Sequence, residues 1–172
     1  GDVDVETSSY VVNSLVTGNS PVISPTSNSL VFLYSAPPCA QSSFLRVQFT
    51  APNGFAQQTP TMRCTGNTSL NVYLAGMLAD TDYRVQQVVT AADGSGVRGP
   101  EMKLHTGKPE ITAAATRPLS KSSATSSEGF LLQSNVFSRN VATDMDGNVV
   151  WYNPTEIRYL THSAAGGYFL AI

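Results

Sequence analysis

Asp144-Met145-Asp146-Gly147-Asn148-Val149-Val150-Trp151-Tyr152-Asn153 is the stretch on which the fold turns. Asp146-Gly147 is a hairpin-turn pair, because glycine adopts the positive φ that such turns require. Val149 to Tyr152 are β-branched or aromatic, the composition of a strand. Val141-Ala142-Thr143 supply a second strand on the other side of the turn. Asp144, Asp146 and Asn148 place oxygens at alternate positions, as a loop cation site would. However, a calcium loop of the EF-hand type needs a third such position before the glycine and a later glutamate. Neither is present, so the stretch is a hairpin and no metal site is assigned.

The same pattern extends on both sides. Gly129-Phe130-Leu131-Leu132-Gln133 reads as a strand before the hairpin. Ile157 to Leu160 and Tyr168 to Ile172 add two strand-like pieces around Gly166-Gly167. Residues 129–172 therefore form a small antiparallel unit of three to four strands, the size of one propeller blade. Upstream, residues 109–128 are rich in Ser, Thr and Ala and contain Pro118. Such a segment buries little and marks a linker.

Residues 10–108 carry a longer series of short strands. Leu30 to Tyr34 is a compact apolar run. Leu45, Val47 and Phe49 alternate with polar residues, as do Leu70, Val72 and Leu74. Tyr83 opens a strand that runs to about Ala91, and residues 101–106 close the series. Pro52-Asn53-Gly54 and Asp93-Gly94-Ser95-Gly96 are turns. Tyr10 to Val12 with Leu15-Val16 form an expected first strand. Pro21 and Pro25 punctuate the connection that follows, and residues 55–66 read as a polar connection. Residues 1–9 lack periodicity and read as a flexible arm. Strands at this spacing, without a helical pattern, make the chain all-β, with an antiparallel sandwich in its first part.

Composition narrows the function classes. Charged residues are 13% of the chain, about half the usual share, and the net charge is −2. Nothing here attracts nucleic acid or an anionic membrane electrostatically, and no apolar run is long enough to span a bilayer. Cys39 and Cys64 are the only cysteines. They fit one disulfide in an extracytoplasmic protein, or two unpaired thiols. Gly1 is a candidate mature terminus after processing. Asn67-Thr68-Ser69 matches the glycosylation sequon, relevant in a eukaryotic or archaeal source. His105 and His162, the only histidines, read as structural: His105 on the last sandwich strand, His162 in a loop. Trp151, Tyr152 and the exposed-face Tyr73 offer either an aromatic ligand platform or packing between strands. Packing is the commoner use of aromatics in sheets. No catalytic set and no cofactor-binding motif is present.

Two resemblances follow from these residues. Gly76 to Tyr83, a Gly-x-Leu-x-x-x-x-Tyr run, resembles the corner before the sixth strand of fibronectin type III domains. The resemblance implies a fibronectin-III/immunoglobulin-like β-sandwich. In it Leu78 plugs one end and the Tyr83 hydroxyl bonds back to the main chain. Phe32 or Tyr34 stands in for the family's second-strand tryptophan, and Gln87 interrupts an inward face. Residues 129–153 resemble the start of the bacterial arylsulfotransferase family, in which a small sandwich precedes a propeller. That family moves a sulfuryl group between phenols through a sulfated histidine in later blades, at positions these residues do not include. The resemblance implies a non-catalytic N-terminal portion of a secreted protein, serving docking, dimerisation or structure. Its expected partner is protein, either a second copy or the remainder of a propeller. The alternative is a structural or adhesive extracellular subunit of a filament or surface layer, with residues 1–16 donating a strand to a neighbour. A glycan-binding module rests on the fold class alone.

Overall fold

The computed structural model describes residues 16, 18–109, 111, 129–133, 139–154, 160–162 and 169–171. The arm of residues 1–9, the first strand expected over residues 10–15 and most of the linker lie outside these. Every regular element among the described residues is a β-strand, and every pairing between strands is antiparallel.

The first sheet contains β1 (Val22–Pro25), β2 (Phe32–Ala36) and β6 (Leu70–Leu74), in the order β1-β2-β6. β1 occupies the stretch expected to be only connection. Pro21 and Pro25 bound it rather than interrupt it, since proline is tolerated at the ends of an edge strand. The second sheet is built on β3 (Phe44–Thr50) and β7 (Asp82–Thr90), paired along seven residues from Phe44↔Thr90 to Thr50↔Arg84. β4 (Ala56–Gln58) and β5 (Met62–Arg63) pair with the outer side of β3. β8 (Gly96–Arg98) and β9 (Met102–His105) pair with the outer side of β7. The polar connection expected over residues 55–66 thus contains two short strands. Their polar side chains suit an edge position, where one face meets water.

Alternation decides which side chains enter the core. Tyr34, Ala36 and Leu74 from the first sheet meet Leu45, Val47, Phe49, Tyr83, Val85 and Leu104 from the second in one buried cluster. Phe49 and Tyr83 pack edge to face, with ring centroids 6.2 Å apart. Tyr34 is fully buried, and its hydroxyl donates to Gln87 Oε1 at 3.2 Å. Burial pushes the Tyr34 phenol up to about 12, with Gln87 pulling the other way. The neutral phenol is therefore the stable form under ordinary conditions, and it can donate to Gln87 throughout. Each of these polar groups makes the other's burial tolerable. Cys39, in the β2–β3 loop, is disulfide-bonded to Cys64, just after β5, across 25 residues. Closing a loop of that size stabilises the folded state by about 3 kcal/mol in the chain-entropy model.

The remaining strands are β10 (Phe130–Gln133), β11 (Val141–Asp144) and β12 (Val149–Tyr152), in the order β10-β11-β12. β13 (Leu160–His162) pairs with β14 (Phe169–Ala171). His162, expected in a loop, lies on strand β13 opposite Phe169. β-branched Thr161 and apolar Leu160 carry the strand through it.

Three hairpins use one loop design. In each, the first residue donates its N–H to the carbonyl of the fifth, and the fourth, a glycine, donates back to the first. These are Ala51–Phe55, Ala91–Ser95 and Asp144–Asn148. Gly54, Gly94 and Gly147 have φ of 86°, 85° and 88°, where an L side chain is strained. This is a three-residue loop closed by a left-handed glycine, one residue longer than the minimal Asp-Gly turn.

Replacing Tyr34 by Phe strands the Gln87 amide in the core. Tyr34→Phe is expected to lose about 1–3 kcal/mol of stability in urea unfolding. Tyr34→Phe combined with Gln87→Leu is expected to recover most of that loss, since both polar partners are then gone.

Candidate functional site

The site is organised by a joint between the two parts of the molecule. Leu30, just before β2, is completely buried. Its partners are Val141 and Tyr152 of the small sheet, with Ala79, Ile111 and Val149 packed around them. Leu30 was expected to begin a strand; it instead leaves the first core and serves a second. Polar bonds fix the geometry. The Ser29 N–H donates to Tyr152 Oη at 3.1 Å. Ser29 Oγ donates to the Lys108 carbonyl at 2.9 Å and lies 3.2 Å from Tyr152 Oη. With the serine proton committed to Lys108, the tyrosine proton points to Ser29 Oγ. Asn28 Nδ2 donates to the Tyr152 carbonyl, while Asn28 Oδ1 accepts from the Leu30 N–H at 2.9 Å. The Gly107 N–H donates to the Ser29 carbonyl at 3.0 Å. A Cβ at Gly107 would lie 2.8 Å from Ser29 Cβ, so only glycine permits this approach.

Beside the joint is an open cleft with two connected chambers. One, of about 440 Å³, is apolar and lined by Ala75, Gly76, Phe130, Leu132, Ala142, Val150 and Trp151. Leu132, Ala142 and Trp151 are neighbours across three strands, which puts them on one face. The other chamber, of about 630 Å³, includes Asn53, Phe55, Gln57, Asp144, Asp146 and Asn148. Phe130 borders both, and remains 59% exposed; Phe55 is 47% exposed. Gly76 has a φ of 84°, and a Cβ there would come within 3.4 Å of the Phe130 ring and of Gln57 Nε2. Exposed aromatics in a concave site between packed units are the usual ground for a binding surface.

The expected corner residues lie at this edge. The Tyr83 hydroxyl accepts a bond from the Leu78 N–H at 2.9 Å. Burial raises its pKa, and the bond to Leu78 lowers it by less. The end plug is Met77, fully buried in the main core, whereas Leu78 is only half-buried. The left-handed Gly76 turns the chain so that its immediate successor, not the residue two beyond it, points inward.

The other candidates are dispersed. Asp146 and Gly147 form the hairpin turn at the polar chamber. Asp144 organises it: Oδ1 accepts from the N–H groups of Asp146 and Asn148, at 3.0 and 2.8 Å, and Oδ2 accepts from Asn148 Nδ2 at 2.8 Å. Asn67 is exposed in the bend before β6. Tyr152 is core, Trp151 lines the cleft, and Tyr73, 65% exposed on β6, does not line it. The three aromatics therefore form no common platform. Phe55 and Phe130, not singled out from sequence, are the exposed rings at the cleft. An aromatic residue directly after the Asn53-Gly54 turn, in an otherwise polar stretch, was the available signal for Phe55.

On the surface near the joint, His105 Nδ1 lies 2.9 Å from Asp82 Oδ1 and its Nε2 lies 3.4 Å from Asp80 Oδ1. Lys108 reaches Asp80 at 3.5 Å. The hydrogen bond to Asp82 is the main cause of a raised His105 pKa, with Asp80 adding to it. Among the described residues no group of three His, Cys, Asp or Glu could hold a metal ion. Comparison with protein-family models and with curated proteins gives no match.

Tyr152→Phe is expected to destabilise the joint by about 1–3 kcal/mol, because the Ser29 N–H loses its partner. Trp151, the only tryptophan, adjoins Tyr152, so its fluorescence in urea reports the change. A pH dependence is expected from His105. Its raised folded pKa means that its contribution is complete below the ordinary value of 6.5 and is lost as pH rises through the folded value. Thermal unfolding between pH 5.5 and 8.5 should show this decline, and His105→Gln should flatten it.

Proposed function

We propose that the chain is the non-catalytic front part of a secreted arylsulfotransferase-like protein, with a fibronectin-III-like sandwich that serves as a docking module. The order β1-β2-β6 opposite β4/β5-β3-β7-β8/β9 supports the sandwich assignment. So does the Tyr83 hydroxyl bonded at Leu78. The strand–hairpin order β10-β11-β12 supports the likeness to a first propeller blade. The disulfide supports an oxidising compartment outside the cytoplasm.

The observation that carries the docking role is the cleft beside a fixed joint. Tyr152 and Leu30 hold the small sheet against the sandwich, and two phenyl rings still stand exposed at the opening between them. A site held by buried contacts and hydrogen bonds suits recognition, because little ordering is required on binding. Histidine chemistry of the sulfotransferase kind would need a nucleophilic imidazole in a closed site. His105 instead sits on the surface between two carboxylates.

Residues 1–172 are expected to run as a monomer in light scattering. They are also expected to release no 4-nitrophenol from 4-nitrophenyl sulfate with phenol as acceptor. Release of 4-nitrophenol by this chain would overturn the non-catalytic assignment. Polymers growing with concentration would instead favour a filament or surface-layer subunit.

A further inference from the structure

We propose that the cleft between the Gly76 corner and the β10–β12 sheet takes an extended peptide segment of a partner protein, one that sets an aromatic or aliphatic side chain beside a lysine or arginine. The proposal rests on the docking role above and names the partner's chemistry.

The apolar chamber selects the first feature. Its walls are Phe130, Leu132, Ala142, Val150 and Trp151, with the Ala75-Gly76 main chain opposite, and no charged residue appears among its described lining. The space accepts one or two large side chains and offers an indole and a phenyl ring as contact surface. Phe130 leans against Gly76, at a position where a Cβ would come within 3.4 Å of the ring. The ring is thus positioned before any partner arrives, while most of it remains in water.

The polar chamber selects the second feature. Asp144 is held by two main-chain N–H groups and the Asn148 amide. All three are neutral donors, so the carboxylate keeps its charge. The described lining contains Asp144 and Asp146 but no lysine or arginine. A cationic side chain complements this end and an anionic one is repelled.

The amides here favour a peptide over a sugar. Gln57 Nε2 is already bonded to the Gly76 carbonyl at 3.0 Å. Asn53 Oδ1 accepts from the Phe55 N–H at 2.9 Å, and Asn148 Nδ2 is held by Asp144. A sugar requires several amide donors and acceptors at once, and these are spent on the loops. A peptide needs an apolar pocket and one opposite charge.

The test uses the disulfide-bonded chain on an array of blocked octapeptides. Each member carries Leu, Phe or Trp, with Lys, Arg, Ser or Asp placed one to three residues away. Peptides with Lys or Arg are expected to bind about tenfold more tightly than their Asp counterparts, with a preference that weakens as salt is raised. Phe130→Ala and Trp151→Ala are each expected to weaken binding about tenfold or more. Asp144→Asn, which keeps an acceptor oxygen for the turn, is expected to weaken it about threefold. Circular dichroism and the melting temperature check that each variant is folded. Phe130 is largely exposed, so its variant remains informative even where Trp151→Ala fails to fold.

Equal binding of Lys and Asp peptides would overturn the proposal. So would binding undiminished in Phe130→Ala, binding to an array of neutral oligosaccharides in place of peptides, or no binding to any peptide. Nitrophenol release, which decides the non-catalytic reading, is a separate measurement and does not move with these outcomes.

Discussion

The hydroxyl of Tyr152 is the point on which the arrangement of the molecule depends. It accepts from the Ser29 N–H and approaches Ser29 Oγ, while the Tyr152 main-chain carbonyl accepts from Asn28. Ser29 in turn holds the end of the sandwich through Gly107 and Lys108. Three stretches distant in sequence, around residues 28, 107 and 152, thereby meet at one serine. Leu30 adds the apolar part of the joint, completely buried against Val141 and Tyr152. Neither component would suffice alone. Hydrogen bonds in contact with water contribute little net stability, and an apolar contact of this size does not specify an angle. Together they fix the small sheet in position and so define the cleft beside it.

The main core satisfies a different constraint. A wide sandwich interior needs a large side chain on the second strand, and here Tyr34 provides it. A tyrosine brings a hydroxyl that must be satisfied, and Gln87, on the facing strand, accepts its proton. The glutamine is closely accommodated in turn. A Cβ at Gly99 would lie 2.6 Å from Gln87 Cγ, so the chain beyond β8 must carry glycine where it crosses that side chain. One polar replacement in the core thus accounts for two further residues.

Much of the sheet structure was legible from periodicity. Leu45-Val47-Phe49 and Leu70-Val72-Leu74 alternate in sequence and lie on strands β3 and β6. The turns at Gly54, Gly94 and Gly147 were legible because their backbone conformation demands glycine. What escaped was set by contacts distant in sequence. Val22 to Pro25 has no alternation and becomes a strand because β2 offers it an edge. Leu30 belongs to an apolar run but packs on residues more than a hundred positions later. Met77 and Leu78 are equally apolar, and only the left-handed Gly76 decides which one enters the core. The cleft was not legible at all. Its walls come from the β3–β4 hairpin, the Gly76 corner and the last sheet, which no local pattern connects.

The separation of 123 residues between Ser29 and Tyr152 also has a consequence in time. A ribosome releases the sandwich strands well before Tyr152 emerges, at roughly 5–20 residues per second. For several seconds Leu30 therefore faces water with no partner, beside a sandwich whose own strands are all available to pair. The nascent chain carries a temporary sticky patch, closed only when β12 arrives. Slow translation or export across this interval prolongs its exposure to other nascent chains, and a chaperone that covers apolar loops would be most useful at that stage.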